Sequence, residues 1–115
     1  MKSQHQRMLA SFSLVAAILF LATNAQAVDD EAARTLARAS GCFKCHSVSK
    51  KGDGPAYKDV AAKYRGKPTA EARLVEHITT GEKAKFEDGH EEEHKIVKSK
   101  DMNEIKNLVN WILTQ

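Results

Sequence analysis

The sequence predicts a small all-α domain. Its 115 residues are rich in Ala, Lys, Glu and Leu, which favour helices, whereas aromatic residues make up only 6% and glycines number six, too few for a tightly turned β-barrel. A hydrophobic fraction of 42% with 29% charged residues excludes a disordered tail, a multi-span membrane protein and a collagen-like fibre. Capping residues and apolar residues at helical spacing predict four helices.

The N-terminal segment is typical of a secretory signal peptide. Lys2 and Arg7 supply positive charge, residues 9–21 form an apolar run, and Ala-Gln-Ala ending at Ala27 is a small-x-small cleavage site. An uncleaved membrane anchor is the alternative, but the run is shorter than the roughly 20 residues that a spanning helix needs. We therefore expect a signal peptide over residues 1–27, export to a bacterial periplasm, and one mature domain over residues 28–115.

The mature segment is nearly neutral. Loss of Lys2 and Arg7 leaves 16 basic and 15 acidic residues, which gives no electrostatic basis for binding nucleic acid. The charges are nevertheless segregated along the chain, and a solvated surface is their ordinary interpretation. Lysines lie early and late, with acidic residues between them: Lys44, Lys50, Lys51 and Lys58, then Glu87, Asp88 and Glu91 to Glu93, then Lys95, Lys98 and Lys100.

The first helix is predicted from about Glu31 to Ser40. Asp29 and Asp30 can cap it and favour the positive end of its dipole, and Gly41 ends it just before two cysteines. A loop follows that contains Gly52, Gly54 and the stiffening Pro55.

Two further helices are predicted before residue 82. The second carries apolar residues at i, i+3, i+4 and i+7, namely Tyr57, Val60, Ala61 and Tyr64. Gly66 and Pro68 end it. Thr69 can cap the third helix, and Gly81 in the C′ position ends it. Its apolar residues are Leu74, Val75 and Ile78.

The last helix is predicted to begin after Asp101, because Asp101 and Glu104 form a capping-box-like pattern. Its apolar stripe contains Met102, Ile105, Val109 and Ile112, with Leu108 beside it. Residues 82–100 show no sustained period, so we expect an irregular segment there.

The informative motif is Cys42-Phe43-Lys44-Cys45-His46. Covalent haem attachment needs two thiols that add to the porphyrin vinyl groups and an adjacent imidazole for the iron, and this spacing supplies all three. A thioredoxin-like redox pair is one alternative, but it requires a βαβ context, whereas a helix is predicted before the motif. A zinc site is the other, and it lacks a second paired ligand motif.

The size of the mature domain also favours a prosthetic group. Small domains bury only about 60% of their unfolded surface and are marginally stable without a staple. A disulfide between Cys42 and Cys45 would close too short a loop to constrain the unfolded chain much.

Residues 28–115 resemble the class I cytochromes c, and within them the small bacterial monohaem type called cytochrome c-551/c-552. Three stretches carry the resemblance: Gly41-Cys42-x-x-Cys45-His46, the run Gly-Pro-Ala-Tyr-Lys-Asp-Val-Ala-Ala-Lys-Tyr over residues 54–64, and Leu108-Val109-x-Trp111-Ile112-Leu113. The resemblance implies four short helices around one covalently bound haem c.

The resemblance also implies roles for individual residues. Cys42 and Cys45 would carry the thioethers, and His46 would be the proximal iron ligand. The Pro55 carbonyl would accept the second N–H of that imidazole, a contact that fixes the tautomer and raises ligand basicity. Trp111 would pack behind the haem, where the first and last helices cross.

The sixth iron ligand departs from the family pattern. The family normally places a methionine in the stretch before the C-terminal helix, and no such motif occurs here. After export the only methionine is Met102, whose position on an apolar helical stripe is more typical of core packing than of a ligand.

Two histidines lie near the position of the missing methionine. Counting back from the C-terminal helix leads to residues 94–95, and counting forward from Gly81 leads to residues 90–91. We therefore predict bis-histidine ligation by His46 and His94, with His90 and then Met102 as alternatives. A third possibility is that both loop histidines are exposed and that the iron is open or lysine-bound.

Two more positions bear on the haem propionates. His77 lies where small bacterial cytochromes often carry a basic group near a propionate, and an ordinary surface histidine is the alternative. Phe86 occupies the offset of a propionate-binding Trp, but its ring has no N–H.

Iron with two imidazole ligands has no open position, so the predicted function is one-electron transfer. We expect no catalytic residues, no enzyme activity, and a reduction potential below that of Met-ligated relatives. A haem-based gas-binding or sensor protein, or a weak peroxidase, is the rival function if the sixth ligand is absent or displaceable. A dithiol oxidoreductase would carry no haem.

The expected partners are transient redox proteins with acidic surfaces. A ring of lysines would steer them: Lys44, Lys50, Lys51, Lys95 and Lys98. Bis-histidine members of the family resemble periplasmic shuttles, which implies other cytochromes of a metal-oxidising or extracellular electron chain as partners. We expect a monomer that binds no nucleic acid and has no stable membrane insertion after signal removal.

Overall fold

The computed structural model describes residues 27–115, and within that range the chain forms four α-helices and one short β-hairpin. The helices are α1 (Asp30–Ala39), α2 (Tyr57–Tyr64), α3 (Ala70–Thr80) and α4 (Met102–Leu113), and a short 3-10 helix (Cys42–Lys44) follows α1. The four predicted helices are confirmed. The predicted signal peptide lies outside the described residues except for Ala27.

Helices α1 and α4 pack together around small side chains. Ala33 and Ala37 on α1 are almost completely buried, as is Val109 on α4, because alanines allow two helices to approach closely. Asp29 caps α1 by accepting a hydrogen bond from the Ala32 amide. Asn107 on α4 bonds both the N–H and the C=O of Asp29, at 2.8 and 2.9 Å, so the start of α1 is attached to α4.

The start of α4 differs from the predicted capping box. The Asp101 side chain accepts from the Asn103 amide at 2.8 Å, as a cap should. Glu104, however, accepts from the Ser99 hydroxyl, which in turn accepts from the Asp101 amide. The Ser99 hydroxyl therefore bridges the Asp101 amide and the Glu104 carboxylate, which would bond directly in a capping box. The predicted place of Met102 on the apolar stripe is wrong: it is 47% exposed, because the first turn of α4 projects beyond the core.

The capping role predicted for Thr69 is also not observed. Its side chain makes no capping hydrogen bond to α3. At the other end of the helix, Gly81 has a positive φ of 70°, the left-handed conformation expected at C′.

The prediction of an irregular segment over residues 82–100 is wrong in part. Strands β1 (Lys83–Lys85) and β2 (Glu91–Glu93) pair antiparallel, with Lys83 opposite Glu93 and Lys85 opposite Glu91. Opposite charges across the ladder stabilise this pairing. Strand β2 and both lysines of β1 are exposed, so there is no apolar alternation for a sequence pattern to detect.

The stretch after the hairpin returns to the core at the end of α3. The Val97 amide donates to the Ile78 carbonyl at 2.9 Å, and Val97 is buried. The Lys98 amide donates to the hydroxyl of Ser40, a buried residue at the end of α1. None of the helices within residues 27–115 has the length and apolar character needed to cross a bilayer.

Candidate functional site

The cysteine motif lies on one wall of a cavity of about 550 Å³. Gly41, with a φ of 73°, turns the chain from α1 into the 3-10 helix, and this turn brings Cys42, Cys45 and His46 to the cavity. Both cysteines are half-buried, and no disulfide joins them. Burial raises the pKa of the Cys42 thiol, so this thiol is protonated at neutral pH.

The loop after the motif holds the His46 ring by one nitrogen. Its Nδ1 donates to the Pro55 carbonyl at 2.7 Å, as the resemblance implies. The lone pair of this tautomer is therefore on Nε2, the nitrogen available to a metal. Gly54 lies so close that a Cβ there would be 2.5 Å from His46 Cε1, and only a residue without a side chain fits.

An aromatic cluster lies behind His46. The Tyr57 ring stacks on the imidazole with ring centroids 5.1 Å apart and an interplanar angle of 15°. Tyr57 and Phe43 both meet Trp111 edge to face, at 5.6 and 6.3 Å. Trp111 is buried behind the motif and does not line the cavity; its role in packing behind the haem stays a prediction.

His94 lines the same cavity as His46. The centroids of the two rings are 6.1 Å apart. His94 Nδ1 donates to the Lys95 carbonyl at 2.9 Å, which again leaves the lone pair on Nε2. Burial and, next, the neighbouring His77 lower the pKa of His94, so the neutral imidazole, the form that binds metals, is favoured.

The two alternatives to His94 lie elsewhere. His90 is exposed at the end of the hairpin loop and does not line the cavity. Its Nδ1 pairs with Asp88, its Nε2 lies 3.2 Å from Glu92, and its ring stacks on Phe86. Asp88 raises the pKa of His90, which favours the protonated ring that cannot bind a metal. Met102 also lies outside the cavity lining.

Sequence analysis missed a polar cluster at the end of α3. Glu82 Oε1 accepts from Arg73 Nη2 at 2.6 Å and pairs with His77 Nδ1, and the three residues line the cavity. The hydrogen bond from Arg73 and, to a lesser extent, the one from His77 lower the pKa of Glu82. The carboxylate is therefore charged at neutral pH. The spacing of Arg73 and His77 at i and i+4 on one helix was a signal for their proximity.

The cavity fits the haem that the cysteine motif predicts. Its volume lies within the range of about 300–1,000 Å³ typical of cofactor sites. Its lining combines two thiols and three imidazoles with buried apolar side chains, namely Leu74, Ile78, Val97, Leu108 and Ile112. Arg73 Nη1 is buried without a hydrogen-bond partner among the described residues, and a propionate carboxylate would satisfy it.

Comparisons with known proteins agree with this site. Residues 31–115 match the family model described as cytochrome c. Cytochrome c-551 of Allochromatium vinosum is 46% identical over 78 residues, which cover 68% of this chain and 80% of that protein.

Solved structures give the same result. The class 1 cytochrome MtoD from Sideroxydans lithotrophicus ES-1 is 63% identical with a TM-score of 0.73, covering 76% of this chain and 97% of that chain. Wild-type Nitrosomonas europaea cytochrome c552 is 32% identical with a TM-score of 0.53, covering 70% of this chain and 96% of that chain. The chain therefore belongs to the cytochrome c family, whose small members are electron carriers, and has the all-α class I fold with one covalently attached haem c.

Proposed function

We propose that this protein is a periplasmic one-electron shuttle whose haem iron is ligated by His46 and His94. In this proposal Cys42 and Cys45 form the two thioether bonds. Residues 1–27 direct export and are removed after Ala27. The haem supplies a one-electron couple, and the chain supplies the ligands, the apolar cavity and the docking surface.

The separation of the two imidazoles carries the proposal. One metal ion that took a nitrogen from each imidazole, at the bond length of about 2 Å usual in proteins, would accommodate ring centroids about 6 Å apart. The centroids of His46 and His94 are 6.1 Å apart. Each ring also donates Nδ1–H to a backbone carbonyl, of Pro55 and Lys95 respectively. Both Nε2 lone pairs are thereby kept for a metal.

Ligation by two imidazoles determines the activity. It leaves no iron position for a substrate or a gas, which supports electron transfer and argues against an enzyme. Imidazole in place of a thioether also lowers the reduction potential relative to Met-ligated relatives. Lys95 lines the cavity, and the side chains of Lys44 and Lys95 both lie beside Gly41, where a Cβ would be 3.7 and 3.8 Å from their Cδ atoms. These two cations would attract acidic redox partners and so speed brief encounters with them. The partners would be, for example, other cytochromes of a metal-oxidising or extracellular electron chain, and the protein would act as a monomer.

Removal of each candidate imidazole tests the ligand assignment. We expect His94→Ala to convert the low-spin ferric EPR signal to high spin, and we expect the matched control His90→Ala to leave it unchanged. Because His77 lies next to His94, the double variant His77→Ala/His94→Ala is measured as well, so that a substitute ligand is excluded. A low-spin signal that survives in the double variant, or that is lost in His90→Ala, contradicts the assignment.

Carbon monoxide tests the function against the rival of a gas-binding protein or weak peroxidase. The ferrous wild-type protein is expected to bind CO only slowly at neutral pH, whereas ferrous His77→Ala/His94→Ala is expected to bind it rapidly. Rapid and complete CO binding by the wild-type protein would favour the rival.

A further inference from the structure

The closest aromatic neighbour of His94 is His77. Their ring centroids are 4.1 Å apart and the rings are inclined by 43°, whereas the His46 ring is 6.1 Å away. The His77 side chain is only 29% exposed, so it is not an ordinary surface histidine. Its ring projects from the C-terminal part of α3 and packs against the ring of the proposed sixth ligand.

Glu82 connects both histidines to one point of the backbone. Its carboxylate pairs with His77 Nδ1 and is itself held by Arg73. Its carbonyl accepts the His94 amide at 3.0 Å. The side chain of Glu82 therefore orients the His77 ring, while the backbone of Glu82 fixes the position of the His94 backbone at the end of the hairpin.

The chain around Glu82 is tightly packed. A Cβ on Gly81 would lie 3.3 Å from Ile96 Cδ1 and 3.7 Å from the His94 carbonyl. Val97 is bonded to the Ile78 carbonyl. The segment that carries His94 is thus attached to the end of α3 by two backbone hydrogen bonds, from His94 to Glu82 and from Val97 to Ile78.

We propose that His77 is a positioning residue for the sixth ligand, because its ring, anchored by Glu82, holds the His94 imidazole in its orientation. This inference rests on the proposed ligation by His94. Because Glu82 occupies Nδ1 of His77, a contact of this ring with a haem propionate would have to use Nε2.

The rate of CO binding to the ferrous holoprotein reports detachment of His94. We expect His77→Ala to raise this rate roughly three- to tenfold, the equilibrium equivalent of one aromatic contact. We also expect it to change the g values of the ferric low-spin signal, because the His94 plane is released. His77→Phe retains a ring but loses the bond to Glu82, so it is expected to give a CO rate between those of the wild type and His77→Ala. Glu82→Ala, which removes the anchor, is expected to raise it.

Matched controls separate positioning from general destabilisation. His90→Ala removes a histidine outside the cavity, and Glu76→Ala removes an exposed carboxylate that lies 3.9 Å from Arg73. Neither control should change the g values or the CO rate, even where the urea midpoint shifts.

The inference is overturned if His77→Ala matches the wild type in both readouts, or if a stably folded His77→Phe behaves like His77→Ala. Loss of the low-spin signal in His94→Ala together with a silent His77→Ala would reject this inference alone. A surviving low-spin signal in the double variant would reject the ligand assignment itself.

Discussion

Gly54 shows how one residue without a side chain determines the place of the His46 imidazole. A Cβ at this position would approach three atoms of the His46 ring to between 2.5 and 2.9 Å, which no flexible neighbour can relieve because the ring is also bonded to Pro55. The φ of Gly54 is not in the left-handed region. The requirement for glycine is therefore contact with the imidazole and not backbone strain.

We predict that Gly54→Ala displaces the His46 ring. The overpacked site should cost about 1–3 kcal/mol of unfolding free energy, measured by urea denaturation of the ferric holoprotein. The reduction potential should also change, because the hydrogen bond to Pro55 that tunes ligand basicity is disturbed.

Gly66→Ala is the matched control for this prediction. Gly66 has a positive φ of 74° and no atom within 4 Å of a Cβ, so alanine there should cost about 1 kcal/mol through backbone strain alone. Its reduction potential should match that of the wild type. Equal effects of the two variants on the potential would show that contact with His46 is not the cause.

The pairing of α1 with α4 depends on a polar contact as well as on apolar burial. Asp30 in the first turn of α1 accepts from Trp111 Nε1 at 2.5 Å and from Arg34 Nε at 2.7 Å. The hydrogen bond from Arg34 and, to a lesser extent, the one from Trp111 lower the pKa of Asp30. The Arg34 guanidinium also lies 4.9 Å from the centroid of the Trp111 ring, so the buried tryptophan is held from two sides.

We predict a pH-dependent loss of stability from Asp30→Asn. The folded pKa of Asp30 lies below its unfolded value of about 3.9, so its contribution is fully present above that value and is lost as the pH falls through the folded pKa. The variant should therefore be less stable than the wild type at neutral pH. The difference should shrink as the pH is lowered from neutrality to below that unfolded value.

Urea midpoints of the ferric holoprotein across this range measure the effect. Glu31→Gln is the matched control, because Glu31 lies in the same exposed turn of α1 and makes no ion pair within residues 27–115. A difference between wild type and Asp30→Asn that is constant with pH would contradict the proposed role of the charge.

The elements also show which sequence patterns are reliable. Helices α1 and α2 begin and end where caps, glycines and apolar spacing predict. The hairpin was missed, because its lysines and glutamates pair by charge and leave no apolar signal. Glu104 bonds Ser99 instead of closing the capping box, since a hydroxyl two residues before the cap competes for the same donors and acceptors.

At the scale of the whole molecule, the charges are arranged around the cavity more selectively than their order along the chain indicates. Of the five lysines predicted to form a docking ring, only Lys95 lines the cavity, and the side chains of Lys44 and Lys95 both lie beside Gly41. Lys51 pairs with Glu87 on the hairpin. Lys63, Lys83 and Lys85 line the cavity as well, so the lysines nearest the haem site come from four parts of the chain.

We predict that Lys44→Gln/Lys95→Gln slows electron transfer to anions. Oxidation of the ferrous protein by hexacyanoferrate(III), an anionic probe, should be roughly two- to tenfold slower at about 0.01 M ionic strength. The difference should vanish at about 1 M, where the Debye length falls to about 3 Å.

A charge-matched variant tests whether position matters. Lys58→Gln/Lys100→Gln removes the same charge from two exposed sites outside the cavity lining and should have a smaller effect. A cationic cobalt(III) oxidant should not be slowed by either pair. Equal slowing by both pairs would mean that net charge, and not a docking patch, controls the rate.

The amino-acid order alone determined the helices, the haem motif and the family, because caps, helical spacing and Cys-x-x-Cys-His are local patterns whose chemistry does not depend on distant residues. The choice between His90 and His94 was different. Both lie at plausible offsets in one polar segment, and only the paired strands place His90 among carboxylates and bring His94 to His46. The contact of His77 with His94 likewise exists only because Glu82 and the end of α3 hold distant parts of the chain together. Long-range hydrogen bonds and packing, which no local pattern records, decide which side chains meet at the cavity.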